Sequence, residues 1–470
     1  MIKFGTSGFR AEIADQFNKQ NIQRIAQALA KTIKTEKSTT PVLIGYDRRF
    51  LSDTAAEWFT EVLAGNKIKT KLYTKPVPSP AVMYGVKSEN LDYGIIITAS
   101  HNPYYYNGLK ISIKGGADCD NVLASKIEKL SNSNLKIKTL DLYTAREKNL
   151  IEDYDNMADY LKNIKKFVSK QIKDNKLKVI FNAMHGACSE YAEQFAKMFK
   201  IHKFTLVNDS VDPYFEHKLP APENECLEEF KKQVVKGKYS IGVAVDGDGD
   251  RLGVIDEQGT YHDNNTLMSI AYYYLIKYRN MKGDVVKNLS TTIELDKLAE
   301  MFGFKCHEIP VGFKYTSAKM KETDALLGGE SSGGMTMRGY IPSKDSFFSI
   351  ALILDAMVNI GKPLSEIVQL VKDECGYIST AFNGNVKIIN KKKMQKALSK
   401  IRPNFSYKPT SISNMDGTKY LFEDGSWVLL RFSGTENALR YYMEFSTEIE
   451  CERNLKVITA YIDKYGKIIK

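Results

Sequence analysis

The stretch VDGDGDRLG at 245–253 places aspartates at 246, 248 and 250, alternating with glycines. Three carboxylates so spaced can wrap one hard cation with oxygen ligands, and glycine lets the backbone fold tightly around it. An EF-hand would need glycine where Arg251 stands, and a helix where an apolar strand pattern precedes the loop. Three carboxylates with few backbone ligands suit Mg²⁺ and leave room for an anionic oxygen. Arg251 beside such a site is costly unless an anion sits there, and a phosphate meets both demands. A second candidate is TASHNP at 98–103, where Ser100 directly follows an apolar run. That position holds a hydroxyl at the mouth of a sheet, with His101 adjacent and Asn107, Gly108 and Lys110 in the same segment. The same residue types also build ordinary turns. A hydrolytic Ser-His arrangement is disfavoured, because neighbouring residues rarely bring the imidazole onto the serine oxygen and no GxSxG elbow surrounds it.

Two further loops carry polar chemistry. GGESSGG at 328–334 brings a carboxylate, Glu330, and the hydroxyls of Ser331 and Ser332 close to a ligand between glycines. Glu330 repels phosphate but suits sugar hydroxyls, although Gly/Ser-rich turns are common. RFSGTEN at 431–437 lies between two apolar strand patterns. Arg431 offers a bidentate fork, and Ser433, Thr435 and the amides around Gly434 can complete an anion nest. A plain hairpin loop is the alternative, and the arginine with its hydroxyls favours phosphate. Arg10 in GTSGFR, Arg49 in GYDRR and His185 in MHGA follow or adjoin strand patterns, with structural roles at least as well supported. No P-loop or GxGxxG fingerprint is present, so neither ATP nor NAD is indicated.

The elements that must position these residues alternate strand, loop and helix. Ile22, Ile25, Ala26, Leu29 and Ile33 recur at helical spacing, and VLIG at 42–45 follows as a short buried strand. GIIITA (94–99), KVIFNA (178–183) and SIGVAV (240–245) are further apolar strands ending at Ser100, near His185 and at Asp246. This pattern predicts an α/β architecture with largely parallel sheets covered on both faces, where ligands bind beyond the carboxyl ends of the strands. At 470 residues the chain is too long for one core, and three or four domains are expected. The expected division is 1–145, 146–256, 257–375 and 376–470, the last a small α+β unit.

Bulk properties narrow the class. The formal net charge of +11 comes from lysines dispersed among acidic residues, without a basic arm, so nucleic acid is not an expected partner. No run approaches the ~18 to 20 uninterrupted apolar residues that cross a bilayer. The most apolar stretch, Phe347 to Val358, is broken by Asp355 and reads as a buried helix. The start, MIKFGTSGFR, has no apolar run of the kind a secretory signal needs, and the six cysteines form no CxxC pair. A cytoplasmic protein without membrane attachment is expected.

Taken in order, GTSGFR, GYDRR, TASHNPYYYNGLK, MHGA, DPYFEHKLPAPENE, DGDGDR, VGFKY, GGESSGG and RFSGTEN resemble the α-D-phosphohexomutase superfamily over essentially the whole chain. The resemblance implies three similar α/β/α units and a smaller fourth around a deep cleft. It implies hexose phosphates as substrates and a phosphoryl group carried on Ser100. Mg²⁺ would be bound by the phosphoserine with Asp246, Asp248 and Asp250. Arg251 would contact that phosphoserine, and His101 and Lys110 would assist proton transfer. Glu330 and Ser332 would hold sugar hydroxyls, with Lys314 of VGFKY near the ligand. Arg431, Ser433, Gly434 and Thr435 would grip the phosphate that is not reacting. Arg10 and Arg49 would face the same cleft. A hexose 1,6-bisphosphate activator and a monomer or homodimer complete these expectations.

Departures from the family pattern blur the sugar. Ser331 stands where many glucose-type relatives have a second glutamate, and Phe432 and Asn437 replace prolines of the phosphate loop. KDG reads KDS at 344–346, and the sugar loop ends GG instead of GH. The last feature leans towards glucose, with mannose second. A bisphosphate synthase using the same residues, and a non-catalytic cation- or anion-binding protein, are the alternatives.

Overall fold

The computed structural model describes residues 1–5, 8–174, 176–377, 379–433 and 437–469. One strand order recurs three times along the chain. In the first unit Val42–Tyr46 lies between Thr70–Tyr73 and Tyr93–Ile97, all parallel, and Tyr93–Ile97 pairs antiparallel with Tyr106–Ile113. In the second, Lys178–Asn182 lies between Lys203–Val207 and Ile241–Val245, and the latter pairs antiparallel with Leu252–Asp256. In the third, Val285–Asn288 lies between Cys306–Ile309 and Leu327–Gly329, and the latter pairs antiparallel with Met335–Met337.

The reason is connectivity. Parallel neighbours need a crossover, and helices such as Ser52–Gly65, Ser189–Met198 and Glu294–Met301 supply it. The third and fourth strands of each unit are joined by a loop without a helix, which forces an antiparallel pair. The sheets are therefore mixed, where the apolar runs alone predicted mostly parallel ones. Those three return loops hold Ser100, Asp246 to Arg251, and Glu330 to Gly334.

Two expected boundaries move. Ile151–Tyr154 pairs with Thr70–Tyr73 and extends the first sheet past residue 145. Within and beside the preceding polar stretch, Leu130, Leu135, Ile137, Leu140 and Leu142 pack onto the first core. Likewise Tyr261–His262 pairs with Leu252–Asp256, carrying the second sheet past residue 256.

One core runs through the second and third units and takes in one face of the first, from Leu43 to Ile96. Its centre is the helix Ser346–Ile360, buried on every side from Ser346 to Met357 and capped by the Asp345 side chain accepting from Phe348 N (3.0 Å). No single described helix is long and apolar enough to cross a membrane. The fourth unit is an antiparallel sheet carrying the helices Lys391–Lys400 and Glu448–Gly466. It docks on the third through Glu444, which is 1% exposed. The Glu444 carboxylate accepts from Thr292 Oγ1 (2.7 Å), Ile293 N (3.1 Å), Ser379 Oγ (2.6 Å) and Trp427 Nε1 (2.7 Å). Four neutral donors satisfy both oxygens, so this buried charge needs no cation.

Candidate active site

The strand Tyr93–Ile97 delivers Ser100 into the left-handed region, at φ 55. A non-glycine residue held there stores about 1–3 kcal/mol, which the surroundings must offset. Arg49 does most of that. Its Nη2 donates to the carbonyls of Ser100 (2.7 Å) and Asn102 (2.5 Å), and its Nη1 to those of Pro103 (2.9 Å) and Tyr106 (3.1 Å). Asp47 lies 3.4 Å from Nε, and the guanidinium stacks 4.9 Å from the Phe215 ring. Phe215, Glu216 and His217 themselves run through three successive positive φ angles to place that ring. Arg49 is thus a clamp behind the serine loop, 3% exposed and away from the cleft wall. Of the cleft role and the structural role open to Arg49, its contacts serve the structural one, because four bonds to loop carbonyls engage both terminal nitrogens.

The carboxylate loop approaches from the second unit. Asp246, Asp248 and Asp250 are buried, and each offers an oxygen within 4.8 Å of the others. Asp246 Oδ1 accepts from the amides of Asp250 and Arg251 (3.0 Å each), closing the loop on itself. Asp246 Oδ2 accepts from Ser100 Oγ at 2.7 Å. A Cβ at position 247 would lie 2.8 Å from the Ser100 carbonyl oxygen, so glycine is what lets the two loops meet. Ser79 N donates to the Asp248 carbonyl (2.9 Å), and its hydroxyl donates to Asp248 Oδ2.

Opposing charge surrounds the trio. Lys110 Nζ donates to Asp248 Oδ2 and Asp250 Oδ2, both at 2.6 Å, and Lys344 Nζ is 3.4 Å from Asp250 Oδ1. Burial alone would lower Lys110, but Asp248 and Asp250 outweigh it and hold its ammonium above the usual range. Burial would raise Asp248 and Asp250, and Lys110 overrides it, so both stay ionised. Asp246 moves the other way, raised by burial and by its two carboxylate neighbours. His101 has its Nδ1 3.3 Å from Ser100 Oγ, and burial, then Arg251 and Arg10, keep it well below the ordinary imidazole value. It is a neutral imidazole. Arg10 Nη1 donates to Asn102 Oδ1 (2.7 Å), which sets its guanidinium beside the serine loop.

The donor set fits a hard divalent cation. All ligands are carboxylate oxygens; Asp248 Oδ1 is buried without a hydrogen-bond donor, and Asp250 Oδ1 has only the Lys344 ammonium at 3.4 Å. Such orphaned oxygens are expensive in a protein interior unless a cation meets them.

A cleft of about 1040 Å³ opens from this end, with His101, Lys110, Asp250 and Arg251 on one wall and Lys314, Glu330, Ser332 and Arg431 further along. Glu330 Oε1 accepts from Gly312 N (2.8 Å), and Asn264 Nδ2 pins the Glu330 carbonyl (2.6 Å). Lys314 Nζ donates to Asn121 Oδ1 of the first unit (2.5 Å), so it bridges the cleft wall. Ser332 is exposed, with its hydroxyl 3.3 Å from Glu330 Oε2. Arg431 Nε donates to Asp416 Oδ2 (2.9 Å). Ser433 is 3% exposed, and its backbone closes the hairpin by donating to the Ala438 carbonyl (2.9 Å). Gly434 and Thr435 lie outside the described residues.

Sequence reasoning missed Lys344, Asp118, Ser79, Asn264 and Asp416. Lys344 had a signal, since it opens the KDS that follows the sugar loop. Asp118, a further carboxylate in the cleft wall, and Ser79 had none, because only the fold brings them here.

Protein-family models match the chain in four stretches, described as phosphoglucomutase/phosphomannomutase, alpha/beta/alpha domain I (1–138), domain II (158–259), domain III (263–373) and C-terminal domain (385–456). The phosphoglucosamine mutase of Campylobacter curvus is 26% identical over 98% of both chains. The phosphoglucomutase/phosphomannomutase of Thermococcus kodakarensis is 28% identical over 97% of both. A crystal structure from Thermus thermophilus, assigned as a phosphomannomutase, superposes with a TM-score of 0.86 at 26% identity, covering 98% of this chain and 99% of that one. With three copies of one sheet order, a fourth antiparallel unit and the four domain matches in sequence, the chain belongs to the α-D-phosphohexomutase superfamily and is an isomerase of the intramolecular phosphotransferase kind.

Proposed function

We propose that the chain interconverts hexose 1-phosphate and hexose 6-phosphate through a phosphoryl group carried on Ser100 and a 1,6-bisphosphate intermediate. The observation that carries this reading is the 2.7 Å bond from Ser100 Oγ to Asp246 Oδ2, which places a strained serine on a buried carboxylate trio. Phosphoryl transfer asks for in-line positioning and charge neutralisation more than for covalent help from the protein. Asp246, Asp248 and Asp250, with the serine, would hold Mg²⁺, which when bound neutralises charge on the transferring phosphoryl oxygens.

The residues divide the remaining work. The clamp of Arg49 fixes the direction of the Ser100 oxygen. In the forward half, the bond from phosphorus to Ser100 Oγ breaks as a bond to the sugar hydroxyl oxygen forms. Neutral His101 accepts the proton leaving that hydroxyl. Lys110 and Arg251 offset the negative charge that gathers on both oxygens. Glu330 and Ser332 orient the sugar ring, and the Arg431 loop grips the phosphate that is not reacting. After the intermediate turns end for end, its other phosphate returns to Ser100, and the proton returns with it.

Glucose is the first reading for the sugar, on the GG ending of the loop at 328–334. An amino sugar is the second. It is favoured by relatives named phosphoglucosamine mutase and by the Asp118 carboxylate in the cleft wall, which would welcome a sugar ammonium. Two measurements test the proposal. Purified protein is run on glucose, mannose and glucosamine 1-phosphates side by side with bisphosphate activator. Ser100→Ala is expected to abolish turnover and the phosphorylated mass while retaining sugar-phosphate binding. Turnover in that variant, or no isomerisation with any hexose phosphate, ends the reading.

A further inference from the structure

Two consecutive amides in one turn of the third unit serve different carboxylates. Val311 N donates to Asp416 Oδ2 (3.0 Å), and Gly312 N donates to Glu330 Oε1 (2.8 Å). The same Asp416 oxygen accepts from Arg431 Nε (2.9 Å). A continuous polar chain therefore runs from Arg431 on the fourth unit, through Asp416 and the turn, to Glu330 on the third. Gly312 holds this turn at φ 135, a backbone conformation that side-chain-bearing residues rarely adopt. Asp416 sits in the turn between the strands Ser411–Ser413 and Thr418–Leu421, with its side chain 26% exposed.

We propose that Asp416 is a positioning residue: it sets the Arg431 guanidinium for phosphate and ties that grip, through the Val311–Gly312 turn, to the sugar contact at Glu330. The proposal rests on the roles given above to Arg431 and Glu330. A long arginine side chain leaving a strand end has many rotamers, and a carboxylate on Nε selects one. With Nε so engaged, the Nη1–Nη2 edge is the one that offers two parallel bonds to a phosphate. Asp416 also brings negative charge near the phosphate it helps to seat. Arginine stays protonated throughout, so the geometric gain and the charge repulsion act on one cation and oppose each other. The bond to Val311 tips the balance towards geometry. It fixes the carboxylate to the third unit as well, so seating the fourth unit there removes the freedom that Asp416 would otherwise keep.

The test uses Asp416→Ala, Asp416→Asn, Arg431→Ala and the double variant Asp416→Ala/Arg431→Ala, with steady-state kinetics on a hexose 1-phosphate and thermal midpoints. Loss of one charge-assisted bond is expected to raise KM about ten- to a hundredfold in Asp416→Ala. kcat should stay within about threefold, since uniform binding is what is lost. Asp416→Asn keeps an acceptor for Val311 and should fall between wild type and alanine. The penalty of Asp416→Ala should largely vanish in the Arg431→Ala background, and it should combine less than multiplicatively with Glu330→Gln. Three results overturn the proposal: an unchanged or lowered KM in Asp416→Ala while Arg431→Ala raises it, independent multiplication of the two effects, or a lowered midpoint without any KM change. If Arg431→Ala itself leaves KM alone, the phosphate-grip reading fails first and takes this one with it.

Discussion

Replacing Arg49 by lysine separates a loop clamp from a substrate contact. The guanidinium places four donor bonds on the carbonyls of Ser100, Asn102, Pro103 and Tyr106 and faces Asp47 at 3.4 Å. Lysine keeps the charge but brings only three donors, so at least one of the four carbonyls loses its bond. Each unmade bond to a buried group costs about 1–3 kcal/mol, so Arg49→Lys should lose at least about that much. That is a large part of the ~5–15 kcal/mol that holds a typical domain, so urea unfolding of the first unit should move to clearly lower concentration. The kinetic consequence falls on kcat. Ser100 sits at a positive φ that the clamp supports, and a shift of about 1 Å in a reacting atom can cost about 10²-fold. KM for hexose 1-phosphate should change little, because the side chain is 3% exposed and lies behind the loop. A variant that unfolds like wild type but shows a large rise in KM would refute this reasoning and return Arg49 to the cleft.

Two other perturbations follow from the same geometry. Gly247→Ala drives a methyl to 2.8 Å from the Ser100 carbonyl oxygen, so a stability loss of about 1–3 kcal/mol and a fall in kcat are expected in parallel melts and assays; wild-type kcat would show that the two loops part freely. Glu294, beside the joint of the third and fourth units, is pushed up to about 7, by burial first and with Glu444 and Asp263 adding to it. Its folded value exceeds the unfolded one, so the unfolded chain loses its proton first and stability falls as pH rises from about 4.5 to about 7. Glu294→Gln should remove that slope and gain on the order of 3 kcal/mol at pH 8, read by denaturant melts across pH; identical pH profiles would exclude a buried, raised Glu294.

How much of this was legible in the sequence depends on whether a residue works through its own segment or through a distant one. Asp246, Asp248 and Asp250 announce themselves because their alternation with glycine is local and the apolar run before them marks a strand end. Ser100 is legible for the same reason. The repeated sheet order is only half legible: apolar runs mark its strands, but the antiparallel fourth strand follows from a short return loop that period alone does not reveal. Arg49 looked like a cleft residue because a cation beside a strand end is all that the sequence shows. Its carbonyl partners lie 51 to 57 positions away, and only the fold supplies them. Asp118 and Asp416 stand in polar stretches that read as surface. The polar stretch before residue 149 hid a packed edge, because scattered leucines without a period do not look like an element.

The two ends of the cleft are built differently, and the proposed chemistry accounts for the difference. At the Ser100 end, the first and second units meet through buried contacts with no slack: Ser79 on Asp248, Gly247 under the Ser100 carbonyl, Lys110 across two carboxylates, and Phe215 over Arg49. Shifting any of these would orphan a buried charge or close a sub-van der Waals gap, either of which costs several kcal/mol. At the Arg431 end, the fourth unit is seated by the Glu444 cluster, the small apolar patch of Leu289, Trp427 and Leu429, and polar links such as Asp416 to Val311 and Lys419 to Glu308. Glu444 binds only neutral donors, and Glu308 and Asp416 of the other two links are partly exposed although Lys419 is buried, so releasing them exchanges protein donors for water at modest cost. A bisphosphate that must turn needs in-line geometry at one end and a grip that lets go at the other. In the proposed mechanism the rigid end is where the phosphoryl group would be carried, and the end that opens cheaply is where the spectator phosphate would be held.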